Sequence, residues 1–203
     1  LEAIFATIGT TDRYFVEFGS GDLSECNTVH LARRAGWRGL WMDAQYVDRL
    51  GRVRRELITA ENIQALFRKY QVPAAFDLLS IDIDGNDYWV WKAITDYQPR
   101  VVVIEYNATI PPMERKSVPY DPARIWDGST DYFGASLLAL QRLGDWKGYA
   151  LVGCDSSGTN AFFVRHELVA DRFVIREVEA VYRPPTVFDG QGHPRDPRPF
   201  IEV

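Results

Sequence analysis

The chain has 203 residues, 46% of them hydrophobic and 25% charged, enough for a single well-packed domain of ordinary globular composition. With 28 acidic against 23 basic residues the net charge is −5, which argues against a nucleic-acid binder that works by broad phosphate neutralisation, although arginines gather between Arg33 and Arg55. Cys26 and Cys154 lie far apart without metal-ligand spacing, no apolar run is long enough to span a bilayer, and no signal pattern opens the chain, so a reduced cytoplasmic setting without a membrane partner is expected. The first residue is Leu1 rather than methionine, which points to a longer parent chain.

In chain order, Leu1, Ile4, Phe5 and Ile8 are spaced for a short helix that breaks at Gly9-Thr10-Thr11-Asp12. A buried strand over residues 14–18 then runs into Glu17, Gly19, Ser20 and Gly21, and a helical pattern resumes from about Ser24 to Ala35. The glycines supply a turn that a ligand can approach closely, and strand, turn and helix together present backbone N–H groups to a polar ligand. A dinucleotide fingerprint wants a third glycine where Ser24 stands, and Glu17 at the strand tip repels a pyrophosphate but suits a cation.

A second strand over residues 37–43 stops at Asp43, followed by Ala44. Asp43 lies roughly twenty residues after the glycine turn, where a doubly wound sheet places a carboxylate against ribose hydroxyls; the competing role is a helix N-cap. Residues 54–59 read as a third strand, and Glu61-Asn62 opens a helix to about Gln71. Glu61 and Asn62 either border an adenine or merely begin that helix.

Residues 76–81 form an apolar strand whose end crowds Asp82, Asp84, Asn86 and Asp87 together, and the strand beginning at Arg100 turns polar at Glu105 and Asn107. Ligands of open α/β sheets bind beyond such strand ends. Three uses stay open: Asp82, Asp84, Glu105 and Asn107 hold Mg²⁺ or Ca²⁺, the carboxylates bind substrate amines or hydroxyls, or Asp82 or Asp84 acts as a catalytic base without metal.

From Ala108 to Phe133 the chain is irregular and rich in Pro, Tyr and Trp. An insertion of this length is usually functional. Tyr120, Trp126 and Tyr132 could wall a substrate pocket, or the aromatics cover the core edge. A helix over residues 134–143 precedes two strands, 149–153 and 160–165, joined by Asp155-Ser156-Ser157-Gly158 and therefore expected to pair antiparallel. Residues 1–183 read as one domain and 184–203 as a tail with Pro184, Pro185, Pro194, Pro197 and Pro199, packed on the domain or used at an oligomer interface.

The Glu17-x-Gly19-x-Gly21 turn looks like the first motif of Rossmann-like S-adenosylmethionine-dependent methyltransferases. With Asn27-Thr28, the run from Gly36 to Leu40 into Asp43, Leu78 to Gly85, and Val103-Ile104-Glu105, the chain to about Arg165 resembles their FkbM-like branch. The resemblance implies a seven-stranded, mostly parallel sheet of order 3-2-1-4-5-7-6 with helices on both faces. It implies S-adenosylmethionine with its methionine end at Glu17, Gly19, Ser20, Gly21 and Asp82, its ribose at Asp43 and Ala44, and its adenine near Glu61 or Asn62. The reaction it implies is O-methylation of a small-molecule hydroxyl, a sugar or a secondary metabolite, with or without a metal. A protein of the same fold that binds the cofactor without catalysis, or uses the sulfonium otherwise, is the alternative. The chain departs from the branch in having Asp43-Ala44 for Glu-Pro, and Asp84-Gly85-Asn86-Asp87 for Glu-Gly-Ala-Glu.

Overall fold

The computed structural model describes residues 1–24, 26–186 and 193–203. Helix α1 (Glu2–Ile8) leads into β1 (Tyr14–Phe18), α2 (Val29–Arg34), β2 (Arg38–Asp43), β3 (Val53–Arg55) and α3 (Ile63–Lys69). Next come β4 (Ala75–Ile81), α4 (Asp87–Ala93), β5 (Gln98–Glu105) and a two-residue strand, β6 (Lys116–Ser117). The chain continues through α5 (Leu137–Lys147), β7 (Tyr149–Cys154), β8 (Asn160–Arg165), α6 (His166–Val169), α7 (Val178–Val181) and β9 (Ile201–Glu202).

A seven-stranded sheet of order β3-β2-β1-β4-β5-β8-β7 organises the fold, parallel from β3 through β5, with β8 antiparallel to both neighbours. The numbering differs from the expected 3-2-1-4-5-7-6 because β6, unforeseen in the insertion, stands outside this sheet and pairs with β9. Central strands buried on both faces read as largely apolar runs, and Val101, Val102, Val103 and Ile104 of β5 are each fully buried. Alternation along the strands sorts their side chains into two cores. Val16, Phe18, Met42, Leu79 and Ile104 pack with α3, α4 and α5, whereas Phe15, Trp41, Leu78 and Val103 pack with α1 and α2.

Where local pattern misjudged an end, a particular contact explains it. The second helix starts at Val29 instead of near Ser24, because the backbone N–H groups of Asn27 and Thr28 donate to the Glu17 carboxylate. Strand β3 stops at Arg55, after which Glu56 N donates to Asp43 O at 2.9 Å. Helix α5 is set by its caps, Ser136 accepting from Ala139 N and Gly148 turning left-handed at φ 85°.

The amino end of the sheet closes on a buried ion pair. Asp77, fully buried on β4, accepts from Thr11 N, Arg13 N and, at 2.7 Å, from Arg100 Nη1. Arg100 also donates to the carbonyls of Ile8 and Gly9. Burial alone would raise the Asp77 pKa, but the hydrogen bonds from Arg100, Thr11 and Arg13 outweigh it and hold the carboxyl below its usual range. Among the described residues no helix is long and apolar enough to cross a membrane.

Candidate functional site

At the opposite, carboxyl end of the parallel strands two clefts adjoin. The smaller, about 190 Å³, lies beside Asp43 and Ala44 with apolar walls from Leu57, Ile58, Ile83 and Ile125. The larger, about 530 Å³, is lined by Glu17, Ser20, Cys26, Asn27 and Glu105. Gly19, Gly21, Tyr46, Asp82 and Asp84 line both, so the two form one groove, whose smaller end sets the apolar Leu57, Ile58, Ile83 and Ile125 beside Asp43, Glu56 and Arg124 and whose larger end is acidic.

The glycine turn is built by close backbone contact. Gly19 sits at φ 76°, and a Cβ there would lie 1.3 Å from the Asp82 carbonyl oxygen, so only glycine lets the end of β1 cross the end of β4. Its N–H does not face the groove as expected: Gly19 N and Ser20 N donate to Met42 O, and Gly21 N donates to Asp43 Oδ2 at 2.9 Å. Glu17, 2% exposed, is likewise occupied. Its oxygens accept from Asn27 N, Thr28 N, the Thr28 hydroxyl and Ser80 Oγ, which corrects its expected role: it meets a ligand through its charge, with no lone pair left over. Burial and then that charge push the Cys26 thiol up to about 12, leaving it a poor nucleophile.

Asp43 caps no helix, because β2 runs through an irregular turn into β3, and its carboxylate braces that turn instead. Oδ1 accepts from Gln45 N and Tyr46 N, each at 2.8 Å, while Oδ2 accepts from Gly21 N alone and keeps one lone pair beside the cleft.

The register of β4 against β5, Ile81 opposite Ile104, brings Asp82 alongside Glu105. Asp82, Asp84 and Glu105 each offer an oxygen within 4.8 Å of the others. Nearby Asp87, fully buried, takes N–H bonds from Ile83 and Gly85 at 2.8 Å and folds the loop so that Asp84 adopts a left-handed φ of 57°. The charges acting on the cluster are carboxylates. Burial, then Asp87, Asp84, Glu17 and Asp155, drive the Asp82 pKa far up; burial, then Asp82, Asp87 and Asp84, do so for Glu105; burial, then Asp87 and Asp43, raise Asp84 to about 6. Glu105 is 8% exposed, and its Oε2 has no hydrogen-bond partner among the described residues.

A folded pKa above the unfolded one contributes stability at low pH that is lost as pH rises through the folded value. For Asp84 the window runs from about 4 to about 6. Asp84→Asn, tolerated in the left-handed region, is therefore expected to melt with the parent at pH 4 and above it at pH 7 in chelator. Equal gaps at both pH values would show that Asp84 is not strained by its charge.

Several expected site residues stand elsewhere. Asn107 is no ligand: its amide donates to Asp131 O and Phe133 O at 2.7 and 2.8 Å, and its oxygen accepts from both the N–H and the hydroxyl of Thr109. Glu61 and Asn62 do not border the groove. Glu61 accepts from the Tyr120 hydroxyl, and Asn62 bonds Thr59 N and Leu57 O, while Leu57 and Ile58 supply the wall instead. Tyr120 is thereby spent, and Tyr132 is 4% exposed with its hydroxyl donating to Pro199 O at 2.9 Å. Of the expected substrate aromatics only Trp126 lines the groove. Sequence reasoning missed Arg124, Tyr46 and Leu57-Ile58. The apolar pair at the end of the third strand could have been noticed; an arginine in an irregular insertion carries no comparable mark.

Compared with protein-family models and with curated protein sequences, the chain gives no match.

Proposed function

We propose that this protein is an S-adenosylmethionine-dependent methyltransferase of Rossmann-like fold that methylates a hydroxyl of a small molecule. The observation that carries the reading is the polarity of the groove, apolar beside Leu57, Ile58 and Ile83, with a carboxylate lone pair at Asp43, then acidic from Glu17 to Glu105. That order suits an adenine, a ribose diol and a cationic sulfonium with its ammonium. Two phosphates of a dinucleotide would meet Glu17, Asp82, Asp84 and Glu105, and like charges in a cleft repel.

Held between Asp43 and Glu17, S-adenosylmethionine would supply an electrophilic methyl group to the acceptor oxygen, its sulfur keeping the electron pair of the broken carbon–sulfur bond. The protein's contribution is position and charge. Glu17 holds Asn27 and Thr28 at the start of α2, Asp43 Oδ2 accepts a ribose hydroxyl, and a carboxylate oxygen of Asp82, at the junction of the clefts, takes the acceptor's proton. The donor set also fits a hard divalent cation, since three mutually repelling carboxylates include a buried unpartnered Glu105 oxygen. Asp82, Asp84 and Glu105 would hold Mg²⁺ or Ca²⁺, whose charge lowers the pKa of an acceptor hydroxyl.

Calorimetric titration with S-adenosylhomocysteine, with NADH as control, tests the reading. Binding of the first alone supports it, and binding of NADH alone overturns it. Asp43→Ala removes hydrogen bonds to a charged group worth about 1.5–3 kcal/mol, so S-adenosylhomocysteine is expected to bind about tenfold to a hundredfold more weakly. Unchanged affinity in a folded variant would remove Asp43 from the ribose.

A further inference from the structure

Past Glu105 lies a separate cavity of about 160 Å³, open on one side and lined by the insertion, the turn between β7 and β8, and Pro185-Thr186. Among the described residues Glu105 alone is shared with the acidic cleft, and Trp126 alone with the cleft beside Asp43. We propose that this cavity receives the acceptor, and that the acceptor is a monocyclic phenol whose hydroxyl reaches the carboxylate cluster at Glu105. This rests on the methyltransferase reading and narrows its substrate class away from sugars.

Three observations carry it. The first is size: a dry cavity of about 150 Å³ admits one benzene ring, so this one holds a six-membered ring with one or two small substituents. The second is the wall. Trp126 packs 4.5 Å from Phe133, and His193 stands edge-on to Trp126 at 4.7 Å, ring centroid to centroid. Aromatic partners prefer such offset and edge-to-face arrangements, and a flat guest extends the stack.

The third is the polar inventory. The Thr109 hydroxyl donates to Asn107 Oδ1, Ser157 Oγ to Thr159 Oγ1, Thr186 Oγ1 to Ser157 O, and Tyr106 Oη to Arg183 O. Those wall protons are spent within the protein. With these four protons taken, the several hydroxyls of a sugar compete for fewer partners among the described residues, and each one buried unpaired costs affinity. A phenol brings one, on the side of the cavity where Glu105 joins it to the acidic cleft. In the reaction its proton passes to the cluster, its oxygen bonds to the methyl carbon, and the carbon–sulfur pair leaves with sulfur.

The test is ligand-observed NMR titration of phenol and of methyl glucoside against the full chain, with and without S-adenosylhomocysteine. Thr186 lines the cavity yet is exposed, so Thr186→Trp adds bulk at its edge without entering the core. Phenol is expected to saturate and glucoside not to, and Thr186→Trp should weaken phenol by about tenfold or more while leaving S-adenosylhomocysteine binding intact. Should that variant melt early, Thr186→Leu serves in its place. Saturable glucoside without phenol, or phenol indifferent to both variants, overturns the phenol site and leaves the cofactor reading standing. Failure of S-adenosylhomocysteine to bind removes the methyl-donor reading and the acceptor role together.

Discussion

Replacement of Asp77 by alanine is expected to lower the free energy of unfolding by about 3–5 kcal/mol, the cost of leaving a buried charge without its partner. Arg100 is 8% exposed and would keep its guanidinium beside the Ile8 and Gly9 carbonyls with no anion. The N–H groups of Thr11 and Arg13 would lose their acceptor, and Arg13, held at a left-handed φ of 51°, would lose what keeps it there. For a chain of this length each kcal/mol moves the melting temperature by about 2–4 °C, so a fall of roughly 6–20 °C is expected. Calorimetry reads it directly, and a fall under about 2 °C would mean that the pair adds little. The pH sense is opposite to that of Asp84. A depressed folded pKa contributes stability above the unfolded value of about 4, lost as pH falls through the folded one. Because this pair lies at the amino end of the sheet, affinity for S-adenosylhomocysteine in the folded fraction should be unchanged.

The largest functional effect is expected from Asp82→Asn. The amide cannot take a proton, and loss of general-base assistance costs about 10²–10⁴ in turnover. Binding of S-adenosylhomocysteine should shift by less than about tenfold, and the melting temperature should hold or rise, because one member of a repelling cluster is gone. This combination separates acceptor chemistry from cofactor support. Equal losses in turnover and binding would assign Asp82 to the cofactor alone, and unchanged turnover would free it from both.

The sheet was legible because burial on both faces favours the apolar runs of β5 and of β4, the latter broken only by Asp77 and Ser80, whereas α5, expected over 134–143, runs Leu137–Lys147 between Ser136 and Gly148. Carboxylates at strand tips were legible for a related reason: charge at the end of a buried strand is costly without a purpose. The destinations of single polar side chains were not. Asn107 turns to the carbonyls of Asp131 and Phe133, and Tyr132 to that of Pro199, partners set by how a distant segment returns. Glu61 and Tyr120, assigned to opposite ends of the site from their neighbours in sequence, bond each other. The start of α2 was misjudged for the same reason, since its N–H groups were claimed by Glu17 from the preceding strand.

The small ladder of β6 with β9 sets an order of assembly. On an emerging chain Lys116 and Ser117 have only the single bridge from Ser117 to Ala135 until Ile201 and Glu202 have been synthesised, and Tyr132 likewise waits for Pro199. The parallel strands draw on residues up to Glu105, whereas the insertion, which adds Arg124, Ile125 and Trp126 to the groove and lines the aromatic cavity, depends on contacts of long sequence separation, which form slowly. The parallel sheet therefore takes shape first and the insertion with the aromatic cavity last. A chain cut before Ile201 is expected to keep the parallel sheet while loosening the insertion at Lys116 and Ser117.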